Sequence, residues 1–182
     1  MRRWLSLVVA LASAVPVAAV AGSAQRQHRV ARAGDVFEYL LPGSALGWTL
    51  AMADWRGLGQ FAGSFGLTMG VTQLMKATID ATRPNGGPKS MPSGHTASAT
   101  GGAAYMQRRY GWAFGVPYYI AAGYTALSRV VTDWHYPRDV VVGGAIAIGS
   151  SFLFVRRIKI TDRYSLLPYG HGLYGLRIQR RF

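Results

Sequence analysis

Five apolar segments separated by short polar joints constrain most strongly what this chain of 182 residues can fold into. Each segment is 12 to 18 residues long, and none shows the alternation of apolar and polar residues expected of a half-buried strand. The segments cover residues 36–53, 58–75, 95–106, 112–127 and 140–155. Their length and their many alanine and glycine residues favour helices. We therefore expect an all-α fold, a helical bundle of five core helices.

The first 24 residues are typical of a signal peptide or of an N-terminal membrane helix. Arg2 and Arg3 precede an apolar stretch from Trp4 to Val20, and small residues follow it. A cleaved signal and an uncleaved membrane span both fit, because a stretch of this length lies near the lower limit for crossing a bilayer. We expect an exported, integral membrane chain whose helical domain covers residues 36–158.

Two basic stretches flank that domain. Residues 25–35 are interpreted as a polar linker or surface segment and residues 159–182 as a Tyr/Gly-rich tail, with a short strand as the alternative in the tail. The 20 Lys and Arg residues outnumber 7 Asp and Glu, and the resulting net charge of +13 indicates an anionic partner. Nucleic acid, an anionic membrane surface and a phosphorylated substrate all fit this sign. The sequence contains no cysteine, which excludes disulfides and thiolate zinc sites.

The first polar cluster closes the second apolar segment. Lys76 and Arg83 are seven residues apart, about two helical turns, so both cations can lie along one face of a helix. Cations at a helix C-terminus also complement the helix dipole, and either role fits these two residues taken alone.

The second cluster opens the third apolar segment. Ser93 is a favourable N-cap residue, and Gly94 leaves the free backbone N–H groups of a helix start open to an anion. Taken alone, these two residues indicate only that a helix begins here. His95 adds a titratable imidazole beside the anion site, and such a group can protonate a leaving group.

The third cluster joins the fourth and fifth segments. His135 and Asp139 are four residues apart, so the carboxylate can hold one ring nitrogen while the other faces a substrate. A structural hydrogen bond is the alternative for this pair alone. Arg129 contributes a planar guanidinium that suits two phosphate oxygens.

The three clusters fall at junctions that share one face of an up-and-down bundle. Three cations, an anion-binding helix start and two histidines would then meet there. No cluster of carboxylates accompanies them, so the sequence predicts neither a metal site nor a cofactor. The pattern indicates phosphoryl transfer without a metal.

Together the clusters resemble the three-part signature of the type 2 phosphatidic acid phosphatase superfamily. That superfamily also includes bacterial class A acid phosphatases and vanadium haloperoxidases. The matching positions are Lys76, Arg83, Pro84, Pro92, Ser93, Gly94, His95, Ser128, Arg129, His135 and Asp139. The signature covers residues 76–139, and the apolar helices extend the resemblance over about residues 36–156.

The resemblance implies a role for each signature residue. His135 would be the nucleophile that forms a phosphohistidine, Asp139 would orient it, and His95 would be the general acid for the leaving alcohol. The phosphate oxygens would be bound by Lys76, Arg83, Arg129, the Ser93 hydroxyl and the Gly94 backbone N–H.

The resemblance and the apolar segments favour a membrane phosphatase that hydrolyses a phosphomonoester or pyrophosphate of a lipid, with no nucleic acid partner. A soluble periplasmic acid phosphatase of broad specificity is the alternative, and a vanadate-dependent peroxidase is a minor option. A remote alternative is a non-catalytic basic protein that binds a membrane surface or nucleic acid.

The joints at the opposite end of the bundle predict its orientation. They carry Arg56, Arg108, Arg109, Arg156, Arg157 and Lys159. If the helices span a bacterial-type inner membrane, the positive-inside rule places these joints in the cytoplasm. The predicted phosphate site would then face the periplasm.

Overall fold

Five helices form the fold of the described residues, as the apolar segments predict. The computed structural model describes residues 24–158 and the backbone of two strands near the C-terminus, and the predicted signal peptide lies outside the described residues apart from Ala24. The helices are α1 (Ala24–Ala51), α2 (Trp55–Thr78), α3 (Gly94–Tyr110), α4 (Trp112–Val131) and α5 (Pro137–Phe154). The strands are β1 (Tyr164–Tyr169) and β2 (Leu173–Ile178). The all-α bundle is therefore confirmed.

The small-residue helix α3 lies at the centre of the bundle and contacts all four other helices. Its residues from Thr96 to Met106 are buried without a break. The helix has little hydrophobic character of its own because alanine, glycine, serine and threonine fill it. Small side chains let the surrounding helix backbones approach closely, and this explains why the least apolar segment occupies the core.

Two glycines mark the closest of these approaches. A Cβ atom at Gly102 would lie 2.8 Å from the Leu41 carbonyl carbon, so α1 crosses α3 backbone to backbone. A Cβ atom at Gly143 of α5 would lie 2.6 Å from the carbonyl oxygen of Ser93, at the start of α3. Any larger residue would push these helices apart, so both positions require glycine for packing.

A proline inside α1 shapes the contact with α3. Pro42 has no N–H, so the carbonyl oxygen of Glu38, four residues earlier, lacks its helical partner. The Ser98 hydroxyl of α3 donates a hydrogen bond of 2.8 Å to that oxygen. This bond replaces the missing helical one and fixes the Glu38 turn of α1 against α3.

The polar stretch 25–35 is helical and not a linker, which corrects the sequence interpretation. It forms the first turns of α1. The stretch has no proline and is rich in Gln, Arg and Ala, which are good helix formers. Its mostly polar side chains carry no hydrophobic periodicity, and a pattern search that relies on apolar spacing therefore misses it.

The chain segment after the bundle contains a β-hairpin. Strands β1 and β2 pair antiparallel, with Tyr164 opposite Ile178 and Tyr169 opposite Leu173. The sequence analysis named a tail here, with a short strand as the alternative. The structure contains two paired strands.

A buried ion pair stabilises the end of the bundle opposite the predicted site. Arg109 is only 4% exposed and donates from Nε and Nη2 to the two carboxylate oxygens of Asp54, at 2.7 and 2.6 Å. Its Nη1 donates to the Arg156 carbonyl oxygen at 2.8 Å, and the Tyr110 hydroxyl donates to Asp54 at 3.2 Å. Arg109 is therefore a neutralised structural residue and not one of the free cations that could orient the chain.

Candidate active site

The loops between α2 and α3 and between α4 and α5 meet at one end of the bundle. The Asn85 N–H donates to the Asp133 carbonyl oxygen at 3.1 Å, and the Ser93 N–H donates to the Asp139 carbonyl oxygen at 2.9 Å. The Arg83 guanidinium lies over the Trp134 ring, 5.2 Å from its centre. These contacts bring the three sequence clusters together, as the up-and-down arrangement predicts.

His135 lies in the loop between α4 and α5, and its side chain is 3% exposed. Its backbone N–H donates to the Arg129 carbonyl oxygen at 3.1 Å, so the last turn of α4 positions it. The imidazole Nδ1 lies 3.6 Å from Asp139 Oδ2. That distance is longer than a hydrogen bond, as is common for catalytic pairs before substrate binds.

Asp139 is fully buried in the first turn of α5 and is fixed by two donors. The Ser90 hydroxyl donates to its Oδ2 at 2.5 Å, and the Tyr136 N–H donates to the same oxygen at 3.0 Å. Among the described residues, Asp139 Oδ1 and His135 Nδ1 have no hydrogen-bond partner. Two unsatisfied buried groups beside each other favour a small movement that pairs them.

Two cations of the first cluster, Lys76 and Arg83, lie near each other and near His135. The Lys76 ammonium donates to the Lys89 carbonyl oxygen at 2.9 Å, and a Cβ atom at Gly94 would be in ordinary contact with Lys76 Cε, at 3.6 Å. Arg83 Nε is buried and has no partner among the described residues. Lys76 therefore brings positive charge to the helix start, and Arg83 has a donor left for an anion.

The start of α3 has the geometry of an anion site. Ser93 is buried and caps the helix, because its Oγ accepts from the Thr96 N–H at 3.4 Å and from the Thr96 hydroxyl at 3.1 Å. Its own hydroxyl hydrogen is left for another acceptor. Gly94 follows as the first helical residue, with its backbone N–H among those that have no helical partner.

Arg129 and His95 meet two carboxylates of α1. Arg129 donates to Asp35 Oδ1 at 2.8 Å from Nη1, to the Ala31 carbonyl oxygen from Nη2 and to the Ser128 hydroxyl from Nε. His95 Nε2 lies 3.1 Å from the same Asp35 oxygen and 2.9 Å from Glu38 Oε2. The first helix thus contributes an acidic wall to the site.

The part of the chain that carries this site is similar to proteins of a known family. The family model for the PAP2 superfamily matches residues 85–161. Lipid A 4'-phosphatase of Helicobacter pylori is 34% identical to this chain in an alignment of 147 residues that covers 74% of this chain and 73% of that protein. The chain belongs to the PAP2 superfamily. It is a phosphoric ester hydrolase of the kind found in that superfamily.

A second relative and a solved structure are also similar to this chain. Lipid A 1-phosphatase of Porphyromonas gingivalis is 36% identical in an alignment of 84 residues that covers 43% of this chain and 19% of that protein. The crystal structure of Aquifex aeolicus LpxE has a TM-score of 0.63 at 18% identity and covers 73% of this chain and 87% of that chain. At this identity the likeness of the two structures shows a shared fold.

The site of this PAP2 enzyme has two halves that share the start of α3. The first contains Lys76, Arg83, Ser93, Gly94, His135 and Asp139. The second contains His95 and Arg129 with their α1 partners. The second half joins the first through the consecutive residues 93–95 and through the Arg129 carbonyl that holds His135.

Three residues at the PAP2 site are absent from the sequence-based set. Ser90 belongs to a turn-rich stretch in which a hydroxyl carries no distinctive pattern. Glu38 is the only glutamate of the chain and lies inside an apolar segment, and Asp35 precedes it by three residues. The signal that could have identified them is Glu38, a carboxylate inside an apolar segment, with Asp35 on the same face of the helix.

Burial keeps the His135 imidazole neutral. Removal from water is the largest cause, the charges of Lys76 and Arg83 act in the same direction, and Asp139 opposes them; together they lower the pKa of His135 from 6.5 to about 4. Because only the neutral ring has a lone pair for attack on phosphorus, a lowered pKa keeps this residue competent at neutral pH.

We predict that His135 stays neutral as the pH falls through 6.5 and becomes protonated only near pH 4. Nuclear magnetic resonance of protein labelled with ¹³C in its histidine rings measures this directly, and the His135→Gln variant assigns the signal. In urea-unfolded chain the same residue should titrate at its ordinary value. A midpoint near 6.5 in the folded protein would contradict the burial argument.

Proposed function

We propose that this chain is a membrane phosphatase that removes a phosphate group from a phosphorylated glycolipid of the lipid A type, with His135 as the nucleophile. The observation that carries the proposal is the buried His135 and Asp139 pair beside Lys76, Arg83 and the start of α3. The similarity to lipid A 4'-phosphatase over most of both chains supports the substrate class.

The phosphate group is bound by cations and by backbone N–H groups. Lys76 and Arg83 neutralise its charge, and the Ser93 hydroxyl and the Gly94 N–H donate to its oxygens at the start of α3. Two of the five N–H groups of Arg129 remain for the phosphate after its bonds to Asp35, Ala31 and Ser128. Donors fixed in this way stabilise the negative charge of the transition state without reorganising.

The first step transfers the phosphoryl group to His135. The lone pair of Nε2 attacks phosphorus while Asp139 holds the Nδ1 proton, and the bond between phosphorus and the leaving oxygen breaks. The electron pair of that bond stays on the leaving oxygen, which takes a proton from His95. The alcohol departs and a phosphohistidine remains.

The second step restores the enzyme. A water molecule attacks phosphorus and gives a proton to His95, which the first step left neutral. The bond between phosphorus and Nε2 breaks, and its electron pair returns to the His135 ring. Inorganic phosphate leaves, and both histidines are again in their starting states.

The exposed surface of the bundle supports a membrane location. Along α4 the exposed apolar residues recur every three or four positions and form one outward stripe. They are Trp112, Val116, Ile120, Tyr124 and Leu127. Among the described residues, α5 alone combines the length and the apolar composition needed to cross a membrane. In a soluble periplasmic enzyme, the alternative named above, these large apolar faces would contact water.

The cations of the helix joints opposite the site support a periplasmic site, whereas Arg26, Arg29 and Arg32 at the start of α1 act against it. The end of the bundle opposite His135 carries exposed Arg56, Arg156 and Arg157. By the positive-inside rule this end faces the cytoplasm, and the phosphate site faces the periplasm.

The proposed function predicts phosphate release from lipid A by the purified protein in detergent. Mass spectrometry of the lipid should show the loss of one phosphate group, and the position that is lost distinguishes the 1-phosphate from the 4'-phosphate. The rate should be unchanged by EDTA, because each charge in the mechanism is met by a side chain or a backbone N–H. The matched control is His135→Gln. Loss of activity with EDTA, or no release from any lipid phosphate, would overturn the proposal.

A further inference from the structure

The mechanism proposed above leaves the acidic wall of α1 unused. Asp35 and Glu38 are the only carboxylates within 4 Å of His95 among the described residues, and both contact its Nε2. Asp35 also forms an ion pair with Arg129. Carboxylates repel a phosphate group, so the two carboxylates must have a function other than phosphate binding.

We propose that Asp35 and Glu38 are positioning residues that hold His95 ready to protonate a poor leaving group, so that the enzyme selects phosphate esters of ordinary alcohols, such as sugar hydroxyls. This inference rests on the proposed function, because it assigns His95 the role of general acid. It adds the class of leaving group that the site serves best.

The contacts of His95 indicate which of its ring nitrogens gives the proton to the leaving oxygen. Both carboxylates lie at Nε2, and the hydrogen bond to Asp35 fixes the plane of the ring. Nδ1 has no hydrogen-bond partner among the described residues, which leaves it for the leaving oxygen. Because both carboxylates accept at Nε2, a proton carried on Nδ1 is the one that the ring can give to a leaving oxygen.

The backbone of α1 is built to keep these carboxylates in place. Gly34 lets the helix lie directly on Arg129, since a Cβ atom there would be 2.6 Å from Arg129 Nη2. The Ser98 bond to the Glu38 carbonyl oxygen, which replaces the bond lost at Pro42, fixes the next turn. Glu38 is also mostly buried, with 14% of its side chain exposed, so its carboxylate has few other positions.

The leaving group decides how much a proton donor matters. The oxygen of a sugar or alkyl alcohol is strongly basic and departs only as it is protonated. A nitrophenolate or the phosphate released from a pyrophosphate is weakly basic and departs without a proton. A general acid accelerates the first class by about 10²–10⁴-fold and contributes little to the second.

A pair of aryl phosphates tests this inference. We suggest 4-octylphenyl phosphate and its 2-nitro derivative, which differ mainly in the basicity of the leaving oxygen, with lipid A as the reference substrate. In the Asp35→Asn and Glu38→Gln variants, kcat/KM should fall for all substrates that need a proton donor. The fall for 4-octylphenyl phosphate and for lipid A should be at least about tenfold larger than the fall for the nitro derivative. Asp80→Asn removes an exposed carboxylate away from His95 and should leave the ratio unchanged.

A double variant shows whether the carboxylates act through His95. In a His95→Gln background, Asp35→Asn should no longer change the ratio between the two aryl phosphates, because the proton donor is already gone. Equal losses on both substrates in the single variants would indicate a merely structural role and overturn the inference. A gain on both would also overturn it, since it would show that Asp35 competes with phosphate for Arg129. If the unmodified enzyme releases no phosphate from lipid A, the proposed function fails instead.

Discussion

Replacing His135 by glutamine is expected to lower kcat for phosphate release by at least about a thousandfold. Glutamine keeps much of the size and polarity of histidine but has no lone pair basic enough to attack phosphorus. The ring is buried beside Asp139, and the backbone of His135 is held by the last turn of α4, so the variant places a non-nucleophilic amide at the position of the ring. Stopped reactions of the unmodified enzyme with ³²P-labelled lipid should also contain an acid-labile phosphoprotein.

The matched control is His28→Gln, which makes the same replacement at an exposed position near the start of α1. Arg56→Ala, at the opposite end of the bundle, is a second control. Both variants should keep near-normal turnover. Activity retained in His135→Gln, or an acid-labile phosphoprotein formed by that variant, would contradict His135 as the nucleophile.

Replacing Arg109 by methionine is expected to lower the free energy of unfolding by about 3–5 kcal/mol. The change removes both hydrogen bonds to Asp54 and leaves its carboxylate buried without an opposite charge. It also removes the donor that holds the Arg156 carbonyl oxygen. The cost therefore arises mainly from the unpaired partner and not from the loss of one attraction.

Thermal unfolding in a fixed detergent measures this effect, and Arg56→Met is the control because it removes an exposed cation from the same end of the bundle. The midpoint should fall clearly for Arg109→Met and hardly at all for Arg56→Met. Activity of the folded fraction at low temperature should survive, since the ion pair lies far from His135. An unchanged midpoint would show that Asp54 finds another partner.

The sequence predicts most of the helices and much of the site because two strong signals overlap. Apolar segments mark helix positions, and Lys76, Ser93 and His135 stand at segment ends, where an up-and-down topology gathers them. Arg83 and Arg129 are predicted for the same reason, because they also lie beyond the ends of apolar segments. The structure places these residues around the start of α3, and their chemical roles stay predictions that the variants above test.

The contacts between α1 and His95 could not be predicted from the sequence because they depend on tertiary packing. The turns that carry Arg26 to Asp35 are polar, and no periodic signal shows that they are helical. Asp35 and Glu38 reach His95 only because Pro42, Ser98 and Gly34 set the path of α1. Likewise, no spacing rule connects Ser90 with Asp139, which lie 49 residues apart.

Gly143 fixes the spacing within this site, which a polar side chain could not do. Because α5 rests on the Ser93 carbonyl oxygen at Gly143 and accepts the Ser93 N–H at Asp139, the gap between the His135 loop and the phosphate-binding turn is set by main chain against main chain. Side chains change rotamer within nanoseconds, whereas a backbone contact of this kind does not. The distance between His135 and the bound phosphate is therefore fixed by the backbone, and the absence of a side chain at Gly143 sets how short it can be.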